Sequence, residues 1–161
     1  MPKSNFATAV KVVELLPAAA DAAGRSSDIV SLKNATYATI LASLAQGNAA
    51  PVTLTLMQAK DVAGTDAKPF DKPVPIWANL DTAASDTLVR QPDGVSFASG
   101  AAVKNKQVVF HIDPAQLDVN GGYKTVFVTT SASNAANLNS ILALLEGHRF
   151  QSATLPSAII D

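Results

Sequence analysis

Apolar and polar residues alternate with a period of two along much of this chain, the spacing of half-buried strands. From Val52 to Ala59, the residues Val52, Leu54 and Leu56 alternate with Thr53, Thr55 and Met57. Tyr37 to Leu44 repeats the pattern with Ala38, Ile40, Ala42 and Leu44 on one side. Between them lies Gln46-Gly47-Asn48-Ala49-Ala50-Pro51, whose residues tolerate positive φ or refuse a ladder, so a hairpin is predicted there.

The same logic places the other strands. Val10 to Leu16 is predicted to end at Pro17, and Ile29 to Leu32 ends at a Lys33-Asn34 turn. Pro75 to Asn79 carries the single tryptophan, Trp77, with prolines at 69, 73 and 75 marking an edge strand or lead-in loop. In Gln107 to Ile112, the residues Val108, Phe110 and Ile112 share one face. Tyr123 to Thr130 is rich in β-branched and aromatic residues and follows the turn signal Asn120-Gly121-Gly122. Asp113 to Leu117 reads as one helical turn, with Asp113 as N-cap and Pro114 at the first position. Leu138 to Glu146 fits a helical stripe (Leu138, Ile141, Leu142, Leu145) and also a strand face (Ile141, Ala143, Leu145). Its all-β surroundings favour the strand. The stretch Val62 to Ser99 is weakly patterned and is read as extended loops with a strand or two.

About eight strands at this spacing predict an all-β fold, an antiparallel β-sandwich of jelly-roll-like form with one or two short helical turns. No βαβ alternation appears, which argues against a doubly wound sheet. The chain divides into an N-terminal arm over residues 1–9, a sandwich domain over 10–152 and a C-terminal tail over 153–161.

At 161 residues the chain is long enough to bury a core without staples. Only 16% of residues are charged and the formal net charge is -1, so no electrostatic footprint for nucleic acid or an anionic membrane is present. A positive mean hydropathy with so few charges points to apolar surface that meets a partner, or to an alanine-rich but ordinary exterior. Cysteine is absent, which removes disulfides, thiolate metal sites and cysteine nucleophiles. Lys11 and Glu14 interrupt the apolar N-terminal stretch, so the reading is a protein made in the cytoplasm without export. No apolar run reaches the length of a membrane-spanning helix.

Candidate chemistry is sparse. His111 and Asp113 alternate onto one strand face, a spacing that can seat two metal ligands, but no third ligand is near and a solvated pair is the simpler reading. His148 falls in a Gly-His-Arg loop. Asp61, Asp66 and Asp71 recur through a polar loop without the dense alternation or the closing Glu of a calcium loop. No Gly-x-Ser-x-Gly elbow and no phosphate-cradling glycine loop occurs. The aromatics are scattered in a way that fits core packing, and Trp77 is assigned to the core in preference to a surface anchor. No catalytic, cofactor or metal site is predicted, and the chain is read as non-enzymatic.

Several phrases carry a resemblance: Ala22-Ala23-Gly24-Arg25-Ser26-Ser27-Asp28, Ser31-Leu32-Lys33-Asn34-Ala35, Gln46-Gly47-Asn48-Ala49-Ala50, the strand Val52 to Gln58, and Asp61-Val62-Ala63-Gly64-Thr65. Pro75-Ile76-Trp77-Ala78-Asn79, Phe110-His111-Ile112-Asp113-Pro114 and Gly122-Tyr123 belong with them. Together they resemble small virion structural proteins of tailed bacteriophages and prophages, from about Val10 onward. The resemblance implies a capsid decoration, cement or head-stabilisation protein on the exterior of the virion, whose partners are the major capsid protein and copies of itself, as a homotrimer. The alternative is a head-fibre or tail-associated domain that binds host-surface glycans through loops such as Val62 to Pro75.

Partner-binding residues are nominated in the two terminal segments: Phe6 in the first, and Leu155, Ile159 and Ile160 in the second. Exposed, these side chains would be a liability; seated on a neighbour they anchor the subunit. The other reading is that the tail covers this domain's own sheet edge.

Overall fold

The computed structural model describes residues 5–147 and 155–160. Two antiparallel sheets face each other across one apolar core, so the predicted β-sandwich is the fold. Asn5 caps a single helical turn, α1 (Phe6–Ala9), which runs directly into the first strand. The strands are β1 (Val10–Ala20), β2 (Val30–Ser31), β3 (Tyr37–Gln46), β4 (Thr53–Ala59), β5 (Lys68–Pro69), β6 (Val74–Asn79), β7 (Val89–Gly94), β8 (Ser96–Ala98), β9 (Asn105–Ile112), β10 (Thr125–Thr130) and β11 (Asn137–Glu146).

One sheet has the order β1-β11-β3-β9-β6-β7. The other runs β2-β10-β4-β5, with β8 sharing the β5 side of β4. Setting aside β6, β7 and β8, the remaining eight strands follow the jelly-roll order, first-eighth-third-sixth over second-seventh-fourth-fifth. The β6–β7 hairpin extends the first sheet beyond β9, and at Val95 the chain passes from β7 into β8 of the other sheet.

Alternation in each strand supplies the core. Ala38, Ile40, Ala42 and Leu44 of β3 lie beside Ile141, Ala143 and Leu145 of β11 and Val108, Phe110 and Ile112 of β9. Leu54 and Leu56 of β4 with Val126 and Val128 of β10 face them from the second sheet. The ambiguous segment at 138–146 is a strand, with Leu138 outward and Ile141, Ala143 and Leu145 inward.

Two local expectations are corrected. The residues 46–51 do not close a hairpin, because β3 and β4 belong to different sheets and the loop arches between them. Pro17 does not end β1: the strand is at the sheet edge, where a missing N–H costs nothing, and it continues to Ala20 through two register shifts. Asn120-Gly121-Gly122 forms the predicted turn. Val119–Gly121 is one turn of 3-10 helix, closed by Gly122 at φ 85, and it carries the chain from one sheet to the other.

Candidate interaction surfaces

Because side chains alternate, every strand of the six-stranded sheet also presents a second face, turned away from the core. Register aligns these outward residues into rows. Glu14, Leu142, Leu41, Val109, Trp77 and Arg90 are successive cross-strand partners from one edge of the sheet to the other. The neighbouring row is Val12, Leu144, Thr39 and His111. On the other side lie Ser140, Ser43 and Gln107, and the row ends at Asn79, which is buried and donates its amide to the Ser85 carbonyl. Leucine, valine and tryptophan thus form an unbroken apolar band, with a carboxylate at one end and a guanidinium at the other.

Trp77 is therefore on the outer face and half-buried, not in the core as its sequence context suggested. Its inward neighbours Ile76 and Ala78 take the core positions. The Arg90 guanidinium lies over the indole, 4.8 Å from the ring centre, while also pairing with Asp93 and donating to the Ile76 carbonyl. Val12, at the other edge, is 47% exposed. The Glu14 carboxylate has no hydrogen-bond or ion-pair partner among the described residues. His111 also belongs to this face: its ring stacks on Tyr37 at 5.3 Å between centroids. Asp113 instead caps the 3-10 turn at Pro114–Gln116, accepting from the Ala115 amide, so the two residues of the conceivable metal pair are engaged separately.

The 155–160 segment divides its side chains. Leu155 and Ala158 are buried, and Ala158 joins the main core cluster. The Ser31 amide donates to the Ala158 carbonyl at 2.6 Å, which lays the segment along β2, the edge of the second sheet. Ile159 and Ile160, immediately after this fastening, are 55% and 70% exposed. Of the four residues nominated from sequence, Phe6 is exposed at the start of α1, Leu155 is buried, and Ile159 and Ile160 are exposed. His148 and residues 153, 154 and 161 of the proposed tail lie outside the described residues.

At the end of the sandwich formed by the 61–72 and 113–123 loops, a shallow hollow of about 400 Å³ is lined by Asp71, Lys72, Gln116, Asp118 and Asn120 among others. Its polar groups are largely spent on one another. Lys68 bridges Asp71 and Asp118 at 2.7 and 2.8 Å, and these contacts raise the ammonium pKa and hold the Asp118 carboxyl below the usual range. Gln116 completes the capping box with Asp113 and donates to the Pro73 carbonyl. Lys72 donates to the Ala115 carbonyl. Tyr123 stands under the Lys68 ammonium and donates its hydroxyl to the Asp66 carbonyl. Asp61 closes its own loop, accepting from Ala63 and Thr65. Among the described residues no three histidine, aspartate or glutamate side chains gather into a metal site.

No protein-family model and no curated sequence matches this chain. Among solved structures it is similar to the SPBc2 prophage-derived protein YomS, with a TM-score of 0.48 and 9% sequence identity over 86% of this chain and 93% of that one. A putative sugar binding protein from Bacteroides thetaiotaomicron VPI-5482 gives a TM-score of 0.31 and 14% identity, over 77% of this chain and 66% of that one. Likenesses this distant leave function to the geometry.

The outer band was not singled out from sequence, although a signal for it exists. Ile40-Leu41-Ala42, Val108-Val109-Phe110 and Leu142-Ala143-Leu144-Leu145 are continuous apolar runs, the mark of strands covered on both faces.

Proposed function

We propose that this chain is a non-enzymatic structural subunit of a tailed-phage virion, which coats the outer surface of the head and strengthens it. The sequence resemblance supplies the class, and the observation that carries the reading is the way the 155–160 segment is held. Leu155 and Ala158 pin it to the sandwich, so Ile159 and Ile160 are offered outward from a fixed backbone. Ordering such a segment before contact removes part of the entropy cost of docking. A rigid support with a pre-set apolar tip suits adhesion to a protein shell, with the major capsid protein as partner.

The test is binding to heads assembled from the cognate major capsid protein without this subunit, followed by electron microscopy of the decorated particles. Added subunit should sediment with the heads and give density on their exterior. Replacing Ile159 and Ile160 with serine should abolish co-sedimentation while leaving the melting temperature unchanged. Density confined to a tail or fibre, or unaltered binding by the serine variant, would overturn the reading.

A further inference from the structure

The outer band of the six-stranded sheet has a polarity of its own. Its central row starts at Glu14 on β1, crosses four apolar side chains and ends at Arg90 on β7. We propose that this face docks a second copy of the same chain, related by a two-fold axis parallel to the strands. This goes beyond the virion role, does not depend on it, and sets a two-fold pair where the resemblance implied a homotrimer.

The charge order selects that axis. A two-fold axis along the strands reverses the row from left to right, so Glu14 of each copy meets Arg90 of the other. Leu142 then opposes Trp77, and Leu41 opposes Val109, near the centre. A two-fold axis across the strands would set Glu14 against Glu14 and Arg90 against Arg90, which is repulsive. On one flank the same operation sets Ser43 against Gln107, polar against polar, and on the other it sets Thr39 against His111. An isologous contact requires this self-complementarity.

Area supports the same occupant. Six strands at roughly 4.8 Å spacing span about 24 Å, and the outward rows cover a similar length along the strands, so each copy would bury on the order of 600 Å². The total of about 1,200 Å² reaches the lower end of the range for specific pairs. Trp77 with Arg90 stacked on it supplies the aromatic and guanidinium anchor typical of such surfaces.

Sedimentation equilibrium of the full chain tests the proposal. The expected species has twice the 16.6 kDa chain mass. Glu14→Arg places like charges at both ends of the contact and should weaken dimerisation about tenfold or more. Adding Arg90→Glu to that variant restores opposite charges across the contact and should recover part of the loss, since Arg90 also stacks on Trp77 and pairs with Asp93. Glu14 is exposed on an edge strand, so the single variant should keep its fold. Trp77, the only tryptophan, gives a second readout: its emission should shift to the red in Glu14→Arg relative to the parent. A monomer at all concentrations, an assembly of any other mass, or a dimer indifferent to Glu14→Arg would overturn the proposal.

Discussion

The ammonium of Lys106 donates to the side-chain carbonyl of Gln46 at 2.8 Å, inside the sandwich and with no carboxylate bonded to it. Its other acceptors are the backbone carbonyls of Ser99, at 2.7 Å, and Gly100, at 3.4 Å. Ser99 also donates its hydroxyl to Gln46 and receives the amide of Val52, so one lysine ties together β9, the end of β3 and the start of β4. Only 1% of Lys106 is exposed, and desolvation lowers its pKa below the ordinary 10.5.

A lysine whose pKa is lower in the folded state costs stability while it is charged. Between the depressed value and 10.5 the unfolded chain binds more protons, so stability rises with pH across that window. Urea titrations from neutral pH to about pH 10 should show this rise, and Lys106→Met should flatten it. Lys60 and Lys68, whose pKa values are raised by aspartate partners, contribute stability that is fully present below 10.5. They therefore do not mask the effect.

Arg25 offers a second prediction. Its guanidinium donates to the carbonyls of Pro17, Ala19 and Asn139 and lies 3.8 Å from the buried carboxylate of Asp21. Asp21 in turn accepts from Thr130 in the second sheet and Asn139 in the first. Arg25→Ala would leave that carboxylate buried without its cation, at a cost of roughly 3 kcal/mol. Chemical denaturation should report the loss, and the Arg25→Lys variant should recover only part of it, since an ammonium lacks the planar fork.

On the acid side, Asp61, Asp81 and Asp118 all have pKa values lowered from 3.8 by hydrogen bonds from Thr65, Lys104 and Lys68 respectively. A lowered carboxylate pKa contributes stability that is present above 3.8 and lost as pH falls through the folded value. Melting temperature should therefore drop below pH 3.8, and Asp118→Asn should make the drop shallower.

The two halves of the 155–160 segment should respond differently to truncation. Leu155→Ala removes a buried side chain and should cost about 2 kcal/mol. Ile160→Ser alters an exposed one and should stay within about 0.5 kcal/mol. Melting curves of the two variants check the contrast.

Much of the sandwich was legible in the chain. The alternation of β3, β4 and β9 gave their inward faces, and the Asp113-Pro114 pair gave the capped 3-10 turn, because both signals act over a few residues. Sheet membership was not legible: Gln46 to Pro51 has turn chemistry, but turn chemistry does not say whether a chain reverses within a sheet or arches to the next. Nothing in the sequence marks Lys106 or Asp21 as buried, since the partners that make burial tolerable come from distant segments. The outer band was missed for a related reason. One face of each strand was assigned to the core, and the opposite face acquires meaning only when register lines up Leu142, Leu41, Val109 and Trp77.

The arches between sheets have a kinetic consequence. Only β4 with β5 and β6 with β7 join successive strands within a sheet. All the other links leap from one layer to its opposite, so a nascent chain can pair few strands before distant parts of the polypeptide meet. Such topologies acquire their order late and all at once, over milliseconds to seconds. Once closed, neither layer can peel away without dragging the other apart.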